Sequence, residues 1–301
     1  MTLTDSGKRV LVTGINGFTG RYLAASLLEV GYQVFGTSTQ TVHEAGVFQL
    51  DLCDREAVSR LVQEVQPHRV IHLAAVSFVG HGDPAAFYGV NLLGSRNLLS
   101  ALADLDNPPE AVLLASSANV YGNAQSGVLD ESAAVAPAND YAVSKLAMEH
   151  MANLWHDKLP IIITRPFNYS GVGEEEKFLI PKIVTHFKDR ARVIELGNLD
   201  VWRDFSDVRA LVAAYLGLLD NPLAIGKTVN VCSGVALSLR EVIALCESTT
   251  GHSIEVQVNP DFVRANEVRS LCGSPKRLQS LVPNWQSLPF AETLKWMLLH
   301  E

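Results

Sequence analysis

The strongest constraint in this chain is a set of glycines, Gly14, Gly17 and Gly20, placed between an apolar run, Arg9-Val10-Leu11-Val12, and a segment patterned as a helix. Leu23, Leu27 and Val30 recur there at helical spacing, and Gly31 stands where a C-terminal cap belongs. Glycines so spaced allow a tight turn, close backbone approach to a phosphate, and close packing of helix on strand. The helix start adds N–H groups that have no intrahelical partner. The turn, with Asn16 and Phe18 inside it, therefore predicts a cradle for the pyrophosphate of a dinucleotide.

The same alternation continues downstream. Gln33-Val34-Phe35-Gly36, Val70-Ile71-His72-Leu73, Val112-Leu113-Leu114-Ala115 and Ile161-Ile162-Ile163 read as strands. Helical patterns separate them. One is capped by Asp54 and turns Val58, Leu61, Val62 and Val65 inward; one opens at Asp83-Pro84 and carries Val90, Leu92, Leu93, Leu98 and Leu99; one runs from about Asp140 to His156. This order predicts an α/β fold, a doubly wound parallel sheet of the Rossmann type, over residues 1–167. After Arg165-Pro166 the rhythm changes. A glycine- and glutamate-rich loop (Gly171 to Lys177) precedes a helix near Phe178 to Phe187, a strand at Val193 to Leu196, a helix from Asp207 to Leu219, a strand at Thr228 to Val231, and a helix opened by a Ser238/Glu241 capping box. A smaller C-terminal α/β substrate-binding domain is expected over residues 168–301, with segments near 205–232 returning to the first.

With 301 residues, 48% of them hydrophobic, the chain can bury a large core, and its net charge of -8 argues against a nucleic-acid partner. Met1 to Lys8 lacks the apolar core of a signal peptide, and apolar runs such as Val70 to Val79 are too short to span a bilayer. The four cysteines show no CxxC spacing, and Cys246 falls in an apolar helical pattern as a small buried thiol. A cytoplasmic protein with no membrane contact is expected. There is no HExxH spacing, and His72 inside a strand reads as a satisfied core residue, so no metal site is expected. No GxSxG surrounds Ser116 or Ser117, which counts against a serine hydrolase.

An NAD-binding unit usually ends its second strand in a carboxylate that bonds the adenosine ribose. Here that stretch is Gly36-Thr37-Ser38-Thr39-Gln40, whose hydroxyls and N–H groups, Ser38 among them, would accept a 2′-phosphate. NADP(H) is favoured over NAD(H), with Arg21 in reach of the site. Tyr141 and Lys145 are one helical turn apart and share a face. A phenol titrates near ~10 in water, and a neighbouring ammonium lowers that value, making it a better acid or base. Ser117, closing a core strand, would hold a substrate carbonyl against Tyr141.

On these residues the chain resembles the extended short-chain dehydrogenases/reductases, the group of NAD(P)-dependent nucleotide-sugar epimerases, dehydratases and reductases. The segments TGINGFTG, HLAAVS, the helix from Asn91 to Leu99, SSANVYG, YAVSK and RPFN fall in family order across nearly the whole length. The resemblance implies Ser117, Tyr141 and Lys145 as catalytic triad, with Lys145 also on the nicotinamide ribose. It implies Asp51-Leu52 as the adenine contact, Leu73-Ala74-Ala75 as the wall behind the nicotinamide, and Asn91 in the cofactor site. Arg165-Pro166-Phe167-Asn168, Gly197 to Asp200 with Arg203-Asp204-Phe205, Asn230 to Gly234, and Arg264 with Glu267-Val268 look like the GDP-sugar branch. There Asn168, Lys182, Arg203, Arg264 and Glu267 would grip the nucleotide diphosphate, consistent with bidentate guanidinium binding.

One departure narrows the activity. The dehydratases of that branch need a glutamate two residues before the YG of SSxxxYG, and here the position is Asn119, which exchanges no proton in this range. The resemblance therefore implies NADPH-dependent reduction of the C4 ketone of a nucleotide-linked 4-keto-6-deoxyhexose, foremost GDP-4-keto-6-deoxy-D-mannose. The competing readings are a dTDP-4-keto-6-deoxysugar reductase, a 4-epimerase, a 4,6-dehydratase and, in another class, an NADP-sensing binding protein without turnover. The family commonly dimerises through a four-helix bundle, here the segments Pro84 to Leu102 and Tyr141 to Trp155, the second with Leu146, Met148, Met151 and Leu154 as surplus apolar residues. A homodimer is expected.

Overall fold

The computed structural model describes residues 7–79, 82–123, 127–262 and 268–300. Strands β1 (Arg9–Thr13), β2 (Gln33–Ser38), β3 (Val47–Gln49), β4 (Arg69–His72) and β5 (Ala111–Ala115) are joined by helices α1 (Phe18–Glu29) and α2 (Arg55–Val65) and by a long bent helix. That helix starts as one α turn, α3 (Pro84–Ala86), capped by Asp83; it continues as a π segment (Phe87–Gly94) and ends as α4 (Ser95–Ala103). After β6 (Val128–Leu129) come α5 (Asp140–Ala152) and β7 (Ile161–Pro166). The C-terminal part supplies β8 (Asn168–Ser170), α6 (Leu179–Lys188), β9 (Val193–Leu196), β10 (Trp202–Asp207), α7 (Val208–Leu219), β11 (Thr228–Val231), β12 (Ala236–Ser238), α8 (Leu239–Thr250), β13 (Glu255–Val258), β14 (Ser270–Gly273), α9 (Lys276–Leu281) and α10 (Phe290–Leu299).

Seven parallel strands form the main sheet in the order β11-β7-β5-β4-β1-β2-β3, the doubly wound arrangement. Because both faces are covered, its central strands carry apolar runs such as Val10-Leu11-Val12, Val70-Ile71 and Val112-Leu113-Leu114. On one face Leu23 and Leu27 of α1 meet Leu211, Tyr215 and Leu218 of α7; on the other Val58 and Val62 of α2, Leu98 and Leu102 of α4 and Met148 of α5 meet Leu114 and Val112. Strands β11 and helix α7 thus belong with this sheet although they follow the change of rhythm at residue 167. A smaller mixed sheet, β12-β10-β14-β6 with β8 on β10, is backed by α6, α8 and α10 through Ile183, Phe187, Val242 and Leu294. Strands β9 and β13 form a separate parallel pair.

Some sequence expectations change on contact with the structure. Val30 is the C-cap of α1 and is exposed, because Gly31 turns the chain away at φ +91° before the apolar face can continue. Leu93 is exposed as well, since a π segment advances each residue by less than an α-helix does and rotates the apolar pattern off the core. Met148, expected on an outer face, is completely buried beneath the sheet. Asp54, Ser238/Glu241 and the helix ending at Leu219 agree with the reading from sequence. Among the described residues no helix is long and apolar enough to cross a membrane.

The glycine turn shows why helix and strand can approach so closely. A Cβ on Gly20 would lie 2.4 Å from the carbonyl oxygens of both Gly14 and Ile15, whereas one on Gly17 would meet only Gly14 O, at 3.2 Å. Overpacking against backbone costs about 1–3 kcal/mol. Gly20→Ala is therefore expected to lower the unfolding free energy by that amount in a denaturant titration, and Gly17→Ala by clearly less.

Candidate active site

The catalytic end lies where the C-terminal ends of β1, β4 and β5 meet the starts of α1 and α5, the crevice in which open α/β sheets bind ligands. Gly14 adopts φ +72°, and a Cβ there would sit 3.0 Å from the backbone of Ala74, so the first turn and the Leu73-Ala74-Ala75 segment are in contact only because that carbon is missing. No side chain caps Gly17 at the start of α1, which leaves the first-turn N–H groups facing the crevice. Phe18, in the first turn, stacks on Tyr169 at 6.1 Å, whose hydroxyl pairs with Thr19 at 2.8 Å. These features fit a dinucleotide pyrophosphate.

The remaining candidate cofactor residues are fixed by backbone bonds. Ser38 ends β2, where its hydroxyl accepts from Gln40 N. Asp51 accepts from Cys53 N, and Asn97 donates to the Leu52 carbonyl, holding that pair against α4. Arg21 turns away: its guanidinium donates to Gly173 O at 2.8 Å, so the suggestion that it reaches the dinucleotide is not met. Asn91 is completely buried in the π segment; it accepts from Val76 N, donates to Val76 O, and donates to Ser144 beside Lys145. The amide therefore ties the loop after β4 to α5.

Behind that loop runs a buried chain that the sequence did not announce. Thr13 Oγ1 accepts from Ala74 N and pairs with His72 Nδ1 at 2.6 Å, His72 Nε2 pairs with Ser95 Oγ at 2.8 Å, and Ser95 donates to Asn91 O. Burial and the Lys145 charge pull His72 down to about 3, so it is neutral and structural, as its place in a strand suggested. His68, four residues earlier, is occupied too, accepting from Arg9 N. Among the described residues no cluster of His, Cys, Asp or Glu could hold a metal ion.

Tyr141 stands in the first turn of α5, whose N-cap Asn139 accepts from Ala142 N. Its phenol lies within the influence of the Ser117 hydroxyl, and Phe87 tilts against the ring at 6.1 Å. Burial raises the phenol above its ordinary value, and the Ser117 hydroxyl pulls it partly back. Lys145 does not supply that pull. Its ammonium donates to Ala115 O at 2.8 Å, and burial, opposed by Glu149, lowers it to about 8. Ser117, Tyr141 and Lys145 are thus brought together, but the expected tuning of the phenol by the lysine is replaced by a hydroxyl pair.

A serine, a tyrosine and a lysine so arranged beside a dinucleotide cradle define a chemistry but not a lineage. The model of the family described as GDP-mannose 4,6 dehydratase matches residues 11–297. The chain belongs to this family. It is an NAD(P)-dependent enzyme of the extended short-chain dehydrogenase/reductase type. It is 35% identical to a GDP-6-deoxy-D-talose 4-dehydrogenase from Aggregatibacter actinomycetemcomitans, with 92% of each chain covered, and 34% identical to a GDP-6-deoxy-D-mannose reductase from Pseudomonas aeruginosa, with 90% of each covered. Two solved structures share its fold over 97% of the chain: a putative epimerase from Burkholderia cenocepacia (50% identity, 97% of that chain, TM-score 0.90) and RMD from Pseudomonas aeruginosa complexed with NADPH (31% identity, 96% of that chain, TM-score 0.84).

Within this family frame the candidate substrate residues are spread over the smaller sheet. Asn168 is exposed on β8, in register with Phe205 of β10, and Arg203 lies two residues before Phe205 with its guanidinium against the carbonyls of Trp202 and Arg269. Lys182 on α6 donates to Glu195 O and lies 4.6 Å over the Phe262 ring. Arg264 and Glu267 lie outside the described residues. Asp204, beside Arg203, is buried and accepts from the N–H groups of Ser233, Gly234 and Gly273, a junction that sequence reasoning did not single out. Asn119 sits half-buried on the single turn Ala118–Tyr121, which Ser117 caps.

The depressed value of His72 makes a pH prediction with a definite sign. Between about 3 in the folded chain and 6.5 unfolded, the unfolded state holds the extra proton, so the contribution is complete above pH 6.5 and drains away as pH falls toward 3. Unfolding free energy measured by denaturant between pH 7 and pH 5 should fall, by up to about 1.4 kcal/mol per unit from this group, and His72→Gln should flatten that slope.

Proposed function

We propose that this protein is an NADPH-dependent reductase of a nucleotide-linked 4-keto-6-deoxyhexose, GDP-4-keto-6-deoxy-D-mannose in the first instance, giving the GDP-6-deoxyhexose of D-rhamnose type. The observation that carries the proposal is the Ser117–Tyr141 hydroxyl pair at the mouth of the cradle, with Asn119 at the position where dehydration needs a carboxylate. The names of the two curated relatives support a GDP-6-deoxyhexose as substrate class. They differ in the direction of the reaction, and the carboxylate-free end of β2 with Ser38 supports NADPH and hence reduction.

The dinucleotide would be held by Gly14, Asn16, Gly17, Phe18 and Gly20 at the pyrophosphate, Ser38 at the 2′-phosphate, Asp51 and Leu52 at the adenine, and Leu73, Ala74, Ala75, Asn91, Tyr141 and Lys145 at the nicotinamide end. When bound it supplies a hydride for the sugar C4. Tyr141 then gives its phenolic proton to the C4 oxygen as negative charge builds there, and the raised value of the phenol keeps that proton on the ring until it is needed. Ser117 donates to the same oxygen and so stabilises the charge in the transition state. Asn168, Lys182 and Arg203, with Arg264 and Glu267, would carry the nucleotide diphosphate.

The direct test is NADPH oxidation with enzymatically prepared GDP-4-keto-6-deoxy-D-mannose. Wild-type turnover is expected, and Tyr141→Phe should reduce kcat by roughly 10²- to 10⁴-fold, the usual share of a general acid. A variant as fast as wild type would remove Tyr141 from the mechanism. Tightly retained cofactor after purification would instead favour the epimerase reading.

We propose further that the chain forms a homodimer through the outer faces of the bent helix and α5. Leu93, Val143 and Leu154 are exposed there, with Leu146 and Met151 half-buried beside them. Light scattering should give twice the chain mass, and Leu93→Asp with Leu154→Asp should return the monomer while leaving the circular dichroism spectrum intact.

A further inference from the structure

Tyr141, Lys145 and Glu149 follow one another at successive turns of α5 and meet three successive points at the end of β5. Tyr141 faces Ser117, Lys145 donates to Ala115 O at 2.8 Å, and Glu149 accepts from Ser116 Oγ at 2.5 Å. The last contact is not at the reaction centre, yet it is the most heavily built. Arg165, from β7, grips the Glu149 carboxylate with two nitrogens, Nε at 2.9 Å and Nη2 at 2.6 Å, and both side chains are buried. The remaining donor of Arg165 reaches Tyr121 Oη at 3.0 Å, and that hydroxyl donates to Asn230 on β11.

A buried ion pair is a poor way to gain stability, because apolar residues of equal volume usually serve as well or better. Its placement one turn below Lys145 gives it another use. Lys145 is almost completely buried, and its ammonium has been taken out of water beside groups that carry no compensating charge: the Tyr141 phenol is neutral, His72 across from it on β4 is neutral, and Ala115 at the end of β5 and Ser117 just past it offer only dipoles. Glu149 is the one carboxylate among these neighbours, and Arg165 on β7 grips it with two nitrogens.

Building on the proposed catalytic roles of Tyr141 and Lys145, we propose that Glu149, clamped by Arg165 and Ser116, is the positioning residue that keeps Lys145 an ammonium and sets the register of α5 on β5. The opposing effects of burial and of Glu149 on Lys145 agree with this geometry. Lys145, Glu149 and Arg165 together leave one net positive charge at this end of α5. Glu149 never touches the substrate in this account; it acts through Lys145.

The test separates charge from packing. Glu149→Gln removes the attraction to Lys145, which exists only while Lys145 is charged in the folded chain. The destabilisation caused by Glu149→Gln should therefore shrink as pH rises from 7 to 10, and it should not change with pH in a Lys145→Met background. Equal pH dependence in both backgrounds would overturn the proposal. If Glu149→Gln does not fold, Glu149→Asp in the same pair of backgrounds gives the same comparison with a smaller effect. In turnover assays the alkaline limb of kcat/KM should move down by about 1 unit in Glu149→Gln, the low end for loss of an opposite charge within one turn. Ser116→Ala should lower Tm and leave the limb in place, and a limb displaced equally by Ser116→Ala would reduce Glu149 to a packing role. The melting comparison needs no substrate, so a wild type inactive on the keto-sugar would sink the proposed function while leaving this inference to its own result.

Discussion

The catalytic end depends on a seam in which one face of α5 lies along the last residues of β5. Ala115, Ser116 and Ser117 are consecutive residues at the end of β5 and just past it, whereas Tyr141, Lys145 and Glu149 are spaced by four on a helix. Three extended residues span about 7 Å and nine helical residues about 12 Å, so the three side chains converge on a shorter stretch of chain, and only one placement of α5 can match all three contacts. That match fixes where the phenol stands relative to the crevice. The glycine turn performs the same service on the other side, letting β1, α1 and the Ala74 loop approach so closely that a single added carbon would collide with backbone.

Much of this was readable in the sequence because it is local. The strands of the large sheet are short β-branched runs, the glycines precede a patterned helix, and Tyr141, Ser144 and Lys145 fall on one helix. What escaped detection was either long-range or lacked a local signature. Glu149 and Arg165 are separated by a helix end and a strand, and nothing near either shows that the other will neutralise it. A glutamate one turn after Lys145, on the buried face of α5 that also carries Met148 and Ala152, was the available hint. The Asp204 junction and the short strands β8, β12 and β14 depend on pairing across the fold rather than on propensity. The phenol's environment was misjudged for a related reason: spacing put the ammonium near, but only the folded geometry shows it spent on a carbonyl.

The electrostatics of the site follow from how each buried group was settled. His72 is discharged and turned into a hydrogen-bonding strut, Tyr141 keeps its proton, and Lys145 retains a compensating carboxylate. In a region so dry, an uncompensated charge would be costly, and each of these solutions avoids one in a different way. The smaller sheet shows the same economy at Asp204, whose buried carboxylate is surrounded by backbone N–H donors rather than by a cation.

The π segment from Phe87 to Gly94 has its own implication for how this architecture tolerates change. A helix wound with a wider turn holds more residues than the same length of α-helix, and Asn91 lies in the middle of the surplus. Shortening the segment by one residue would let it relax to ordinary winding with little rotation of the turns on either side, because the wider winding already takes up one surplus residue. The change would fall inside the segment, where Asn91 holds Val76 and Ser144, and the loop carrying Ala74 would lose that tether to α5. A single-residue deletion here would therefore leave the flanking turns in phase and be felt at Asn91, in the tether between the Ala74 loop and α5.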